Sequence, residues 1–342
     1  MSAVDYKMAG VDIAAGNEAV RRIKHLAEGT FSKNVLSPIG GFGALYDLKS
    51  LLSEYQHPIL VQSIDGVGTK TIIARMMNKF DTIGMDLVSA TANDIVVLGA
   101  TPLTLLDYIA SEQLNPDVIE QIVSGIAKAC LDNNISLVGG ETAEMPQTYL
   151  PGETDLVGVI TGVVEKDAVI NGRDIQPHDV VLGIPSSGLH TNGYSLARKL
   201  LFDVANYHVD SWNHELDCTL GKALLEPHIN YTKPVLDCLK NKIKIKGMAH
   251  ITGGGFLDNI PRILPQGTGV SIQLGTWPIS PLFTLLEELG RLDQAELFRT
   301  FNMGIGLVMI VGEDQVDGVR QYLQAYEIGR VTHSHEKTVR II

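Results

Sequence analysis

Ser63-Ile64-Asp65-Gly66-Val67-Gly68-Thr69-Lys70-Thr71 follows the apolar run Pro58-Ile59-Leu60-Val61, which reads as a buried strand closed by its own turn. At the strand's end stand a carboxylate, two glycines, a hydroxyl and an ammonium, the groups needed to hold a metal-bound polyphosphate. The same residues also suit a glycine turn with a solvated Asp and Lys. The stretch is not a Walker A loop, because Thr69 stands where a glycine must precede the lysine. Nor is it the dinucleotide fingerprint, since no third glycine follows Gly66 and Gly68 at the right spacing. A nucleotide bound here is held by some other fold.

The arrangement recurs downstream. Ile135-Ser136-Leu137-Val138 reads as a buried strand ending in Gly139-Gly140-Glu141-Thr142-Ala143-Glu144. Between the two, Asp94 lies among Ala90, Ala92, Ile95, Val96 and Val97 on a helical pattern. A carboxylate in such company is paired, metal-bound or costly; a capping or turn Asp is the plainer reading. Asp65, Asp94 and Glu141 are thus the candidate metal ligands. Three converging carboxylates repel one another, and one or two Mg²⁺ ions resolve that. Gly40-Gly41-Phe42-Gly43 suits either close approach to a ligand or a tight hairpin. Residues 16–28 read as an amphipathic helix with a basic outer face carrying Lys24, ordinarily solvated. Pro116 to Cys130 reads as a helix with an apolar stripe, and Pro102 to Ala110 as a strand that carries Asp107 in its apolar run.

A polar stretch, residues 165–179, suggests a boundary between domains 1–167 and 168–342. Beyond it, Val180 to Ile184 delivers Pro185-Ser186-Ser187-Gly188-Leu189-His190-Thr191-Asn192-Gly193-Tyr194, a polar loop that suits a substrate cradle. His190 is there a structural or a catalytic histidine. Met248-Ala249-His250-Ile251 leads into Thr252-Gly253-Gly254-Gly255-Phe256, which offers backbone N–H groups to an anion. Leu282–Leu289 and Val316–Tyr326 read as helices, and Leu307–Val311 as a buried strand.

The 342 residues, 45% hydrophobic and 19% charged, suit two globular domains. Thirty-four glycines exceed the usual share of roughly 7%, and they cluster at strand ends. A formal charge of −12 and the lack of a basic run argue against nucleic acid. Cys130, Cys218 and Cys238 are scattered, which fits a reducing cytoplasm rather than a disulfide framework. Neither a signal-peptide pattern nor an apolar run of membrane-spanning length is present, so no membrane partner is expected.

Taken in order, the strings Asp5-Tyr6-Lys7, Gly10-Val11-Asp12-Ile13, Gly40 to Gly43, Asp65 to Lys70, Asn93-Asp94, Gly139 to Pro146, Ser186 to Tyr194, Thr252 to Phe256 and Arg299-Thr300-Phe301-Asn302 resemble the phosphoribosylformylglycinamidine cyclo-ligase (aminoimidazole ribonucleotide synthetase) family over nearly the whole chain. The resemblance implies a two-domain α/β (α+β) homodimer. Its N-terminal mixed-sheet domain forms a barrel across the dimer, and its C-terminal domain is an α/β sandwich. It implies ATP with Mg²⁺ and a formylglycinamidine ribonucleotide whose formyl amide oxygen is phosphorylated before a nitrogen closes the ring. Asp65, Asp94 and Glu141 would hold the metal. Lys24, Gly40, Gly41, Gly43, Gly66, Gly68, Thr69, Lys70 and Gly140 would line the nucleotide. Ser186, Ser187, His190, Thr191, Asn192, Gly253, Gly254 and Gly255 would grip the substrate, and His190 or His250 would move a proton beside the catalytic Asp65 and Asp94.

Related selenide-activating and carbamoyl-dehydrating enzymes need a Cys near the first glycine loop or at the C-terminus, and this chain has neither. A thiamine-monophosphate kinase of the same superfamily and a non-catalytic nucleotide-binding regulator are the alternatives.

Overall fold

The computed structural model describes residues 8 and 10–342, so Asp5-Tyr6-Lys7 lie outside the described residues. The chain divides into two compact units. One comprises the residues up to Ala92 together with Pro102–Lys166; the other comprises Asn93–Thr101 and Asp167–Ile342. A single cut in the sequence does not describe this, because the segment holding Asn93 and Asp94 goes with the second unit.

The first unit runs α1 (Ile13–Glu28), α2 (Lys49–Leu52), β1 (Pro58–Gly66), α3 (Lys70–Met77), α4 (Asp81–Val96, whose last residues count with the second unit), β2 (Thr101–Ser111), α5 (Pro116–Asp132), β3 (Ser136–Glu144) and β4 (Thr154–Glu165). Helix α1 starts where Asp12 accepts from Ala14 N and Ala15 N at 3.0 and 3.2 Å. Helix α5 starts where Asn115 accepts from Asp117 N at 3.0 Å, with Pro116 behind it. Its buried stripe is Ile119, Ile122, Val123, Ile126, Ala129 and Cys130. Helices α4 and α5 meet through glycines. A Cβ on Gly84 would lie 2.1 Å from Ile122 O, and one on Gly125 would lie 1.8 Å from Asp81 O. No side chain fits at that crossing.

The sheet order is β1-β4-β2-β3. Strand β1 reaches Gly66, so Asp65 lies within a strand, paired with Gly158, rather than in a loop beyond one. Likewise Gly139–Glu144, expected to mark the end of the strand, continues β3 in parallel register from Leu106↔Gly139 to Ser111↔Glu144. The β2 ladder supplies partners all along this stretch, which outweighs the weak strand propensity of glycine.

The second unit carries β5 (Val180–Pro185), α6 (Tyr194–Arg198, continuing in a π-turn to Val204), β6 (Trp212–Asn213), β7 (Cys218–Thr219), α7 (Leu220–Leu224), α8 (Thr232–Lys240), β8 (Ile245–His250), α9 (Gly255–Asn259), β9 (Thr268–Ile272), α10 (Pro281–Gly290), α11 (Gln294–Thr300), β10 (Ile305–Val311), α12 (Val316–Arg320), β11 (Tyr326–His333) and β12 (Val339–Ile341). Its six-stranded sheet has the order β12-β9-β11-β5-β10-β8. All of β10 is buried, and Leu182, Ile184, Leu307, Met309 and Val311 pack with Tyr231 and Val235 of the α8 region. The helix expected over Val316–Tyr326 ends at Arg320, because Tyr326 opens β11, which pairs with both β5 and β9.

Candidate active site

In the first unit, a cavity of about 730 Å³ opens between α1, the 38–46 loop, β2 and β3. Gly40, Gly41, Gly43, Gly140 and Glu141 line it, together with Asp107. Burial pushes the Asp107 carboxyl up to about 7, opposed weakly by its own backbone N–H. Gly140 leaves room for that carboxyl, since a Cβ there would stand 2.2 Å from Asp107 Oδ1. Asp107 itself went unassigned in the sequence, where it looks like one carboxylate in a strand.

Other expected nucleotide residues lie apart from this cavity. Lys24 is exposed beside Glu28, its Nζ 3.8 Å away. Gly66 N donates to Asp65 Oδ1 at 2.7 Å, Gly68 turns with φ +64°, and Thr69 precedes α3. Lys70 differs from expectation. Its side chain is fully buried, with Nζ 2.9 and 2.8 Å from the Asp86 carboxylate oxygens. Asp86, one helix on, engages the ammonium that the sequence offered to a phosphate.

The expected metal ligands are not gathered in one place within the first unit. Strands β1 and β3 are opposite edges of the sheet. Three strand spacings of about 4.8 Å hold Asp65 and Glu141 about 14 Å apart. Asp94 belongs to the second unit. Among the described residues, no three His, Cys, Asp or Glu side chains are grouped so as to hold a metal. Glu141 stays in the β3 strand, paired alongside Tyr108 of β2.

The second unit brings several expected residues together. His250 Nδ1 lies 2.8 Å from Asp94 Oδ1, and His250 Nε2 lies 3.0 Å from His228 Nε2. His228 Nδ1 faces Thr191 Oγ1 at 3.4 Å, and its ring stacks on His190 with centroids 3.9 Å apart. His190, His228 and His250 are all buried. Asn93 ties this cluster to the backbone of residues 229 and 231. Its Oδ1 accepts Tyr231 N–H at 2.8 Å, so its amide nitrogen faces Ile229 O at 2.9 Å and His228 Nε2 at 3.3 Å. His228 Nε2 thus lies within hydrogen-bond distance of both Asn93 Nδ2 and His250 Nε2. Nothing local marks His228 in the sequence; a fold brings it to His250 from 22 residues away.

Two asparagines hold the glycine loops of this unit. Asn302 accepts from Ser186 Oγ at 3.0 Å and Gly304 N at 2.9 Å, and donates to Gly188 O at 2.8 Å. Asn259 donates to Thr252 O, Gly253 O and Gly255 O at 3.2, 3.3 and 2.8 Å. Ser187 donates through Oγ to Pro227 O at 2.5 Å and through N to His190 Nε2 at 3.2 Å. Asn192 Nδ2 approaches Thr191 Oγ1 at 3.4 Å.

Comparison with known proteins agrees with this architecture. Residues 51–164 match the N-terminal domain of the AIR synthase related proteins, and residues 176–342 match their C-terminal domain. The phosphoribosylformylglycinamidine cyclo-ligase of Carboxydothermus hydrogenoformans is 48% identical over 99% of both chains. That of Bacillus cytotoxicus is 49% identical over 95% of this chain and 94% of its own. Among solved structures, thiamine-monophosphate kinase from Stenotrophomonas maltophilia superposes with a TM-score of 0.69 at 19% identity, covering 95% of each chain. A hydrogenase maturation protein HypE in complex with ATP superposes with a TM-score of 0.60 at 18% identity, covering 97% of this chain and 88% of its own. The solved structures share the fold alone. The full-length identity shows that this chain belongs to the phosphoribosylformylglycinamidine cyclo-ligase family of AIR synthase related proteins.

Proposed function

We propose that the protein closes the imidazole ring of 5-aminoimidazole ribonucleotide from formylglycinamidine ribonucleotide, converting ATP to ADP and phosphate, in purine biosynthesis. The observation that carries this reading is the 48% identity to a cyclo-ligase across 99% of both chains. The formyl amide oxygen attacks the γ-phosphorus of ATP, the bond to the bridging oxygen breaks, and ADP leaves. An amidine-side nitrogen then attacks the activated carbon, loses a proton, and phosphate departs with the former formyl oxygen. Closure is intramolecular, so folding the substrate into attack geometry supplies up to roughly 7–11 kcal/mol.

The residues of the second unit suit the closing step. His250, fixed between Asp94 and His228, is placed to move the proton, and the loops held by Asn302 and Asn259 keep Ser186, Ser187 and Gly253 to Gly255 in one shape for ribose and phosphate. ATP enters as its Mg²⁺ complex in this reading. Asp65, Asp94 and Glu141 remain the carboxylates that would hold the metal, although no three such side chains are grouped among the described residues.

A homodimer is supported by β1, which exposes Leu60 (58%) and Ile64 (67%). Strands paired across two chains in a barrel would cover these side chains. Three free cysteines fit a cytoplasmic setting.

Purified protein given Mg-ATP and formylglycinamidine ribonucleotide should release ADP in step with aminoimidazole ribonucleotide. Nucleotide binding without turnover would point to a regulator, and ADP release only with thiamine monophosphate would point to the kinase. Ile64→Asp should shift the sedimentation coefficient towards that of a monomer.

A further inference from the structure

The loop of residues 186–194 and the Asp94–His250 pair come from separate stretches of the second unit, and one short segment, residues 224–231, reaches both. On the loop side, Tyr194 donates its hydroxyl to Leu224 O at 2.6 Å and Ser187 donates Oγ–H to Pro227 O at 2.5 Å. Tyr231 donates its hydroxyl to Pro185 O at 2.6 Å, just ahead of the loop. On the other side, Asn93, next to Asp94, donates to Ile229 O at 2.9 Å and accepts from Tyr231 N at 2.8 Å. His228 stands between these two sets of bonds and is buried. Its ring stacks on His190 with centroids 3.9 Å apart and planes 21° from parallel. Its Nδ1 lies 3.4 Å from Thr191 Oγ1, and its Nε2 lies 3.0 Å from His250 Nε2. Gly306 of β10 keeps room for this group, since a Cβ there would meet His190 Cε1 at 2.4 Å and the Tyr231 hydroxyl at 2.2 Å.

An imidazole turns easily about its outer torsion, so partners at the ring decide its direction. His250 is held at both nitrogens, Nδ1 by Asp94 at 2.8 Å and Nε2 by His228. With His228 removed, the ring pivots on the Asp94 contact alone. His190 is likewise held from outside, for its backbone sits at φ +59° and the His228 ring lies flat against it. Resting on the proposed cyclisation, we propose that His228 is a positioning residue that sets the substrate loop against His250. Its ring face and Nδ1 edge hold residues 190 and 191, and its Nε2 edge aims His250. A misplacement of about 1 Å at a reacting group costs about a hundredfold in rate, so a rigid ring spanning the two is a means of keeping them in register. The role is the same whichever ring carries the hydrogen between the two histidines.

The two edges can be removed one at a time. An Asn amide falls near the Nδ1 position of a histidine and a Gln amide near its Nε2 position, and either amide donates or accepts as its partner requires. The test is steady-state cyclisation of formylglycinamidine ribonucleotide at saturating Mg-ATP by the full chain. His228→Asn reaches Thr191 and not His250, so kcat should fall about tenfold to a hundredfold with KM nearly unchanged, as when a group that orients a reacting side chain is lost. His228→Gln reaches His250 and gives up the stack and Thr191, so KM should rise about tenfold with kcat falling far less. His228→Phe keeps the volume and the stack without a nitrogen, and should share the kcat loss of His228→Asn; it carries the kcat test if His228→Asn does not fold. Hydrogen–deuterium exchange of residues 186–194 is read in parallel. It should quicken in His228→Gln and stay at the wild-type rate in His228→Asn.

Variants that change kcat and KM in the same proportion would show a residue that only fills space, and would overturn the proposal. Variants indistinguishable from the wild type would overturn it equally. Cyclisation by the wild type without the crossed pattern leaves the function and removes His228 from it. A wild type that does not cyclise removes the function, and loop exchange then decides by itself: quickening in His228→Gln alone keeps His228 as the holder of the loop, and equal exchange in both variants removes it.

Discussion

Replacing Asp107 by Asn should make the protein more stable, and increasingly so as pH rises. In the unfolded chain the carboxyl ionises near its ordinary 3.8; in the folded chain burial holds it up to about 7. Between these values the unfolded state has lost a proton that the native state keeps, so native stability falls as pH rises from about 4 to 7 and is flat above. At about 1.4 kcal/mol per pH unit the displacement amounts to about 4 kcal/mol, an upper figure because unfolded chains are themselves partly compact. Asn fills the same space and has no proton to lose. Urea unfolding of both proteins at pH 4.5 and pH 8 measures the difference directly. The advantage of Asp107→Asn should be small at the lower pH and reach about 2–4 kcal/mol at the higher. An advantage that does not change between the two pH values would show that the Asp107 carboxyl ionises normally, and the argument for its neutral form would fail with it.

The buried ion pair gives a prediction of the opposite sign: Lys70→Met strands Asp86 in the core and should cost about 3–5 kcal/mol in urea unfolding, and adding Asp86→Leu should restore most of it. A Lys70→Met protein of wild-type stability would exclude the pair as a structural element. At the α4–α5 crossing, Gly125→Ala sets a methyl 1.8 Å from Asp81 O, and the helices must separate; thermal unfolding should show a loss of about 1–3 kcal/mol or more, and an unchanged midpoint would mean the crossing yields freely. Asn302→Ala unties Ser186 and Gly188, so KM for the ribonucleotide should rise about tenfold while the Kd for ATP stays put, the cost expected when charged or buried hydrogen bonds are lost. Equal effects on both ligands would indicate general loosening instead.

Family strings were readable at once because each is local: a glycine, a hydroxyl and a carboxylate within a few residues. What the same strings do in space was less readable. Gly139–Glu144 has the composition of a loop, yet the β2 ladder keeps it extended, and that one difference holds Glu141 far across the sheet from Asp65. Lys70 looked available because its neighbours are polar and small. Its partner Asp86 comes from the next helix, sixteen residues on, and no local pattern announces the pair. His228 and Asn302 are similar cases. Each becomes part of the site through a contact between distant elements, and a lone His or Asn carries no periodic signal. Asp107 is the intermediate case, visible as a charge in an apolar strand but not as a cavity wall until Gly140 is set opposite it.

The two units hold their candidate sites in order by different means, and the difference follows from what each site must recognise. Glycine loops lose much chain entropy when fixed, so a loop that must hold a ribonucleotide in attack geometry needs something to fix it before the ligand arrives. In the second unit buried asparagines do this, since a single amide both donates to loop carbonyls and accepts from loop donors. Asn302 joins three residues from two loops in that way. Asn93 applies the same bifunctionality beside the histidines, accepting from Tyr231 N–H while donating to Ile229 O. In the first unit the cavity wall is a strand ladder and a helix, which need no such clips, and burial raises the one carboxyl delivered there by β2. A wall of strand and helix can hold a rigid group, whereas clipped loops can fold a flexible substrate. A reaction that spends ATP to close a ring requires both.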